Sequence, residues 1–285
     1  MIRKEILLGM ALVALIGLAC CPAQAYIEET PTNVEETATN VTDGEDIPAL
    51  IAANGNLTTL GTAVETANLT EALSAEGPFT VFAPTDQAFE ALPPGILDIL
   101  INDTEALTDV LTYHVVNGTY MAADLAGVST LTTLQGDNLT VNATDAGVQV
   151  ENATVIEADV AASNGVVHLI DAVLLPAPLV LATDQEIANE SVMVPLVVSE
   201  GAGWMVIHAD ENGTPGPILG QSPVAAGVNA NVTVQIAVEN ATDSMFAMLH
   251  VDAGNPGEFE FPGPDGPVVV DGVVLAPPFN VTMAA

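Results

Sequence analysis

Chemistry in this chain falls to histidine and carboxylate, because few other reactive side chains exist. The 285 residues hold 37 Asp or Glu, two Lys or Arg, four His and two Cys. Two of the histidines sit in an internal echo, Val206-Ile207-His208-Ala209-Asp210 and Met248-Leu249-His250-Val251-Asp252. Positions i and i+2 share one face of a strand, so each motif would present an imidazole beside a carboxylate. If the two strands are neighbours, His208, Asp210, His250 and Asp252 converge. Imidazole with carboxylate is a donor set for a divalent metal. The plainer alternative is a pair of His–Asp contacts at the strand ends, which a chain this short of base would use to neutralise charge.

The other candidates read as structural. His114 shares an apolar helical face with Leu107, Val110 and Leu111, the position of a hydrogen-bonded core histidine. Asp86 follows Pro84-Thr85 and is placed to cap a helix over residues 87–92. His168 alternates with Val167 and Leu169 and should point away from both. No G-x-S-x-G, H-E-x-x-H, Walker or Rossmann motif occurs.

Both basic residues, Arg3 and Lys4, precede an apolar run over residues 6–19 that ends at Ala23-Gln24-Ala25. That is the pattern of a secretory signal peptide, residues 1–25. Cleavage there removes Glu5 and both thiols, leaving 36 acids with no Lys, Arg or Cys. Phosphate clamps, Schiff bases and thiolate chemistry are then excluded. The alternative is a lipoprotein cut before Cys20 or Cys21, which would carry a lipid anchor. After the leader no segment reaches the roughly 20 apolar residues that span a bilayer.

A polyanion repels nucleic acid and anionic headgroups, which excludes both as partners. Its expected counter-ions are diffuse solvent cations (Na, K, Ca or Mg), with no bound cofactor. A salty medium would screen the self-repulsion. The chain has no D-x-[DN]-x-[DN]-G loop of the calcium-binding kind.

Thirteen of eighteen asparagines lie in N-x-[ST] sequons: Asn40, Asn56, Asn68, Asn102, Asn117, Asn138, Asn142, Asn152, Asn189, Asn212, Asn231, Asn240 and Asn280. This density points to N-linked glycan on a secreted protein. Asn turn chemistry in a Thr-rich β protein would explain a few sites.

Residues 26–45 are acidic and Thr-rich with almost nothing large and apolar, so they read as a disordered spacer. Helical spacing over residues 46–75 stops at Gly77-Pro78, and Phe79 to Ala83 reads as a buried strand. Short helices follow over residues 87–92, 96–101 and 105–114. From residue 130 to 175 the period becomes two, with hairpin turns between short runs. Helices followed by a meander predict an α+β domain over residues 46–178. Residues 182–285 hold six or seven short apolar strands, the pattern of an all-β sandwich. The stretches GTPGPILGQSP and DAGNPGEFEFPGPDGP between them read as turn-rich.

Three segments carry a family resemblance: TVFAPTDQAF (residues 80–89), LTYHVV (111–116) and NGVVHLIDAVLLP (164–176). In type, order and spacing they resemble the signature segments of a fasciclin domain. The resemblance implies a wedge of two small sheets with flanking helices. It also implies extracellular adhesion to a surface or matrix protein or glycan, without catalysis, and it makes Tyr113 and His114 the family's Tyr-His pair, tied to core packing and receptor contact. The C-terminal part resembles, more loosely, uncharacterised β domains of archaeal surface proteins of halophiles and methanogens. The expectation is therefore an exported, glycosylated adhesion protein. The alternative is a cation- or small-ligand-binding surface protein using the His-x-Asp pairs.

Overall fold

The computed structural model describes residues 44–283 apart from 145, 146 and 271. The leader, Cys20, Cys21, Asn40 and most of the acidic spacer lie outside the described residues. Among those described, no helix is long and apolar enough to cross a membrane.

The first half is built from α1 (Ile47–Ala53), α2 (Thr58–Thr66), α3 (Thr70–Leu73), β1 (Phe79–Pro84), α4 (Asp86–Glu90), α5 (Ile96–Asn102), α6 (Thr104–Tyr113), β2 (Val115–Asn117) and α7 (Ala122–Leu125). The meander follows as β3 (Thr130–Thr132), β4 (Asn138–Thr144), β5 (Gly147–Val150), β6 (Ala153–Ala162) and β7 (Gly165–Ile170). These strands form one continuous order, β2-β1-β7-β6-β5-β4-β3, instead of the two small sheets implied by resemblance. Two register shifts in β6, between Val155 and Glu157 and between Glu157 and Val160, let the long strand bend. A bridge from Val116 to Thr133 ties the first strand region to the last, so the sheet rolls upon itself. Phe82, Leu139, Val150, Ile170 and Leu174 fill one core. The helices pack Leu57, Ile96, Leu100 and Leu107 against Val81, Val167 and Leu169 in another.

Asp86 has a different task from the one its position suggested. Thr85 caps α4, its hydroxyl accepting from the amide of Ala88 at 3.3 Å. The Asp86 carboxylate instead accepts from the amide of Thr59 at 2.7 Å and the hydroxyl of Thr58 at 2.9 Å. It closes the N-terminus of α2, whose own N-cap residue, Leu57, offers no side-chain bond. Burial raises the Asp86 pKa, but the bonds from Thr59 and Thr58 together outweigh it and hold the carboxyl below its ordinary value. Asp86→Ala should cost about 1–2 kcal/mol, as loss of a helix cap does, read as a lower urea midpoint at unchanged slope.

Asn164 ties three elements together from the turn before β7. Its Oδ1 accepts from the Ile47 amide at 3.0 Å, and its Nδ2 donates to the carbonyls of Leu73 at 2.7 Å and Ala75 at 3.0 Å. A Cβ on Gly77 would overlap the Asn164 carbonyl, so the chain can close here only on glycine. Asn164→Ala should cost about 1–3 kcal/mol, because two partly buried backbone groups, the Ile47 amide and the Leu73 carbonyl, lose partners, as does the exposed Ala75 carbonyl. Asn164→Asp, which keeps the acceptor and loses both donors, should fall between alanine and the parent in the same unfolding measurement.

The second half contains β8 (Leu179–Leu181), β9 (Gln185–Ile187), β10 (Ser191–Ser199), β11 (Gly203–Asp210), β12 (Pro215–Val224), β13 (Gly227–Gln235), β14 (Ser244–Val251), β15 (Val269–Val270), β16 (Val273–Val274) and β17 (Pro278–Met283). It is strand-rich, with a three-stranded sheet β13-β10-β8, a five-stranded sheet β12-β11-β14-β17-β9 and the β15-β16 hairpin. Val180, Val194, Val197 and Val234 from the first sheet share a core with Met205, Ile207, Met245 and Leu249 from the second. The stretch read as turn-rich before residue 224 is the strand β12. It tolerates Pro215, Pro217 and Pro223 because β12 lies at a sheet edge, where a missing N–H breaks no ladder.

The two halves share packing. Leu179 and Leu181 of β8, with Leu196 and Val198 of β10, belong to the helical core of the first half. Their neighbours Val180 and Val197 face the other way, into the second. The apolar run Leu196 to Val198 is therefore explained by burial on both faces of the sheet.

Candidate functional site

Tyr113 and His114 end α6 and are both buried. The His114 Nδ1 lies 2.7 Å from the Val110 carbonyl, and its Nε2 accepts from the Leu174 amide at 2.9 Å. A carbonyl can only accept, so Nδ1 carries the proton and the ring is neutral. Burial pushes the His114 pKa down to about 4. The carbonyl of His114 accepts in turn from the Phe82 amide at 2.9 Å. One residue thus joins the three signature segments, which supply the adjacent strands β2, β1 and β7. The Tyr113 hydroxyl reaches the Asn138 carbonyl at 3.4 Å, and burial, with Glu151 and Asp137 nearby, pushes its pKa up to about 12. The pair supports the surface from within; neither side chain is presented on it.

His168 is satisfied at both nitrogens, accepting from the Asp159 amide at 3.2 Å and donating to the Tyr120 carbonyl at 2.8 Å. It faces Phe82, with ring centres 5.7 Å apart, whereas Val167 and Leu169 face the helical core.

The echo motifs do land on neighbouring strands. β11 pairs antiparallel with β14, with Trp204 opposite His250 and His208 opposite Phe246. The side chains of Met205, Ile207, Ala247 and Leu249 enter the core, and alternation puts Trp204, His208, Met248 and His250 on the other face. The rings of His208 and His250 lie 5.8 Å apart, 13° from parallel. The His208 Nδ1 lies 2.7 Å from the Gly216 carbonyl, and the His250 Nδ1 2.9 Å from the Asp265 carbonyl. Burial lowers the pKa of both rings.

The two aspartates of the motifs turn elsewhere. Asp210 accepts from the Gly213 amide at 2.6 Å, and Asp252 from the Gly257 amide at 2.8 Å. Among the described residues, no three His, Cys, Asp or Glu side chains are grouped so that they could hold a metal ion.

Over His250 lies the loop of residues 252–266. It is organised by Asp265, which is fully buried and accepts from the amides of Glu260 at 2.8 Å, Ala253 at 2.9 Å and Gly254 at 3.2 Å. The amide of Glu260 leads, with those of Ala253 and Gly254, in holding the Asp265 pKa below the ordinary carboxylate range against burial. The loop sets Phe259 and Phe261 against His250, at 5.7 and 5.0 Å between ring centres. Sequence reasoning missed Asp265 and Met248. The one signal for Asp265 was a lone acid inside a Pro-Gly run.

All twelve described sequon asparagines are exposed; of the four described asparagines outside sequons, Asn54, Asn164 and Asn229 are half-buried and Asn255 is exposed. Four of the twelve, Asn68, Asn189, Asn212 and Asn231, have positive φ, a conformation asparagine adopts readily in turns.

A family model described as the fasciclin domain matches residues 55–176. A Synechocystis relative, Protein sll1483, is 43% identical over 171 residues, which is 59% of this chain and 89% of that protein. The chain belongs to the fasciclin family. The transforming growth factor-beta-induced protein ig-h3 of Oryctolagus cuniculus is 39% identical over 127 residues, 45% of this chain but only 19% of that much longer protein. A solved FAS1 domain pair from the insect cell adhesion molecule fasciclin I aligns at a TM-score of 0.43 and 18% identity, over 46% of this chain and 51% of that one. Beyond the fasciclin segment, residues 178–282 match a domain of unknown function, DUF7282.

Proposed function

We propose that this chain is an exported, N-glycosylated cell-surface protein that adheres through its fasciclin half to a neighbouring surface or matrix protein or glycan, without catalysis. The fasciclin match over residues 55–176 carries the reading. The leader-like N-terminus and the uniform exposure of the described sequon asparagines support export and glycosylation. The absence of Lys and Arg after residue 4 suits a screened, high-salt surface with diffuse counter-ions. Residues 26–45 serve as an acidic spacer ahead of two folded parts, residues 46–178 and a β-sandwich over 182–285.

Whole chain recovered from the native envelope should begin at Tyr26, or at a lipid-bearing Cys20 or Cys21, and carry glycan on sequon peptides. Immobilised whole chain should retain cells of the producing organism. Fab fragments against residues 55–176 should block retention, and Fab fragments against residues 178–282 should leave it intact. Failure to retain cells, or equal blocking by both, would place adhesion elsewhere.

A second reading is divalent-cation binding by His208, Asp210, His250 and Asp252. The closeness of the two rings and the buried, unpartnered Oδ1 of Asp252 favour it; the engagement of Asp210 and of the Asp252 Oδ2 by loop amides counts against it.

A further inference from the structure

We propose that His208, His250 and Met248 form a site for a single soft monovalent metal ion, copper(I). Both Nδ1 atoms face backbone carbonyls, which only accept, so both carry hydrogen. In a neutral ring the Nε2 then holds a bare lone pair. The His208 Nε2 is buried without a hydrogen-bond partner. The His250 Nε2 faces the Met248 Sδ at 3.1 Å, so two electron-pair donors point at each other with no hydrogen between them. Buried donors left in this state are costly, and a cation bound by both, with the flexible Met248 side chain swinging outward to admit it, removes the cost.

The spacing fits. Two imidazoles that share one ion at about 2 Å per nitrogen have ring centres about 5–6 Å apart. The observed separation is 5.8 Å. Each imidazole is also fixed by a carbonyl on its far nitrogen, the outer contact that orients metal-bound histidines.

The donor set selects the ion. A thioether is soft and suits copper(I). A hard divalent ion would need several oxygen donors, but Asp210 and Asp265 are held by backbone amides, and Asp252, bound to Gly257 through Oδ2, leaves only its buried Oδ1 without a partner. Burying one positive charge among neutral ligands also costs less than burying two. Phe259 and Trp204 pack around the face, and the exposed Phe261 stands at its rim.

The test uses the full chain carrying Cys20→Ser and Cys21→Ser, so that thiols do not compete. Under anaerobic conditions it is titrated with copper(I) against a chromophoric copper(I) chelator, and in parallel with silver(I). The expected result is one equivalent bound, with a change in the emission of Trp204, the single tryptophan. Met248→Leu should weaken binding at least tenfold, and His208→Ala should abolish it. X-ray absorption of the loaded parent should show two nitrogen donors and one sulfur, a readout independent of whether the variants fold. The proposal is overturned if no stoichiometric copper(I) is retained, if the bound metal has no sulfur neighbour, or if affinity is unchanged in Met248→Leu. Stoichiometric retention of calcium, magnesium or zinc with oxygen donors would overturn it in favour of the divalent reading. The site stands apart from the adhesion reading, since loss of cell retention leaves this titration unaffected.

Discussion

Acidification from pH 7 to pH 4 should strip the fold of about 3 kcal/mol through His114 alone, at 1.36 kcal/mol per pKa unit. In the unfolded chain His114 takes a proton near its ordinary pKa of 6.5, and in the folded chain only near 4. Between those values the unfolded state binds more protons, so stability rises with pH across the window and is lost as pH falls through it. Buried His168, His208 and His250 have pKa values lowered in the same direction and add to the loss. Urea unfolding at pH 7, 6 and 5 checks this before most carboxylates titrate. His114→Gln should give a less stable chain with a shallower pH dependence. Equal stability at pH 7 and pH 5 would mean that the ring is not held neutral as its contacts require.

Salt should act as strongly, in the stabilising direction. Residues 26–285 contain no Lys or Arg, and the carboxylates are met by backbone amides: Asp46 by Ala49, Asp103 by Ala106, Asp159 by Ala122 and Asp171 by Thr154. These bonds satisfy lone pairs without cancelling charge. The residue is visible at Asp109, whose pKa is raised by burial and by Glu105, Asp103 and Asp137 around it. The screening length falls from about 10 Å at 0.1 M salt to about 3 Å at 1 M, which relieves the compact state more than the expanded one. Relief of several kcal/mol corresponds to about 10 °C or more in melting temperature for a chain of this size. Melting scans in NaCl and KCl from 0.1 to 2 M should show that rise, and millimolar Ca²⁺ or Mg²⁺ should replace much of it without saturating at a fixed stoichiometry. A melting temperature indifferent to salt would show that the acids are already far enough apart.

What the sequence made legible was whatever repeats locally. The helical spacing around Leu57, Leu60 and Val64, the alternation through β4 to β7, and the echo of VIHAD in MLHVD each follow from side-chain periodicity, and each found its element. What depends on distant partners stayed hidden. Asp86 precedes α4 in the chain, yet closes α2, because Thr85 already fills the adjacent cap. Asn164 sits in the turn before β7, and its amide reaches back about 90 residues to Leu73 and Ala75. Proline count hid β12, since only its edge position makes those prolines tolerable. Met248 carries no signal of its own in the sequence, because alternation does not reveal which face of a strand a loop will cover.

The sheet β13-β10-β8 has mechanical meaning. With Leu179, Leu181, Leu196 and Val198 embedded in the helical core and Val180 and Val197 in the other, it is a plate gripped from both sides. Paired domains joined by a thin polar contact swing on their linker; here the shared apolar packing opposes such a swing. A partner that takes hold of the fasciclin half pulls on the strand-rich half at the same instant, and load crosses between them through packed side chains as well as through the covalent chain at Pro176 to Pro178.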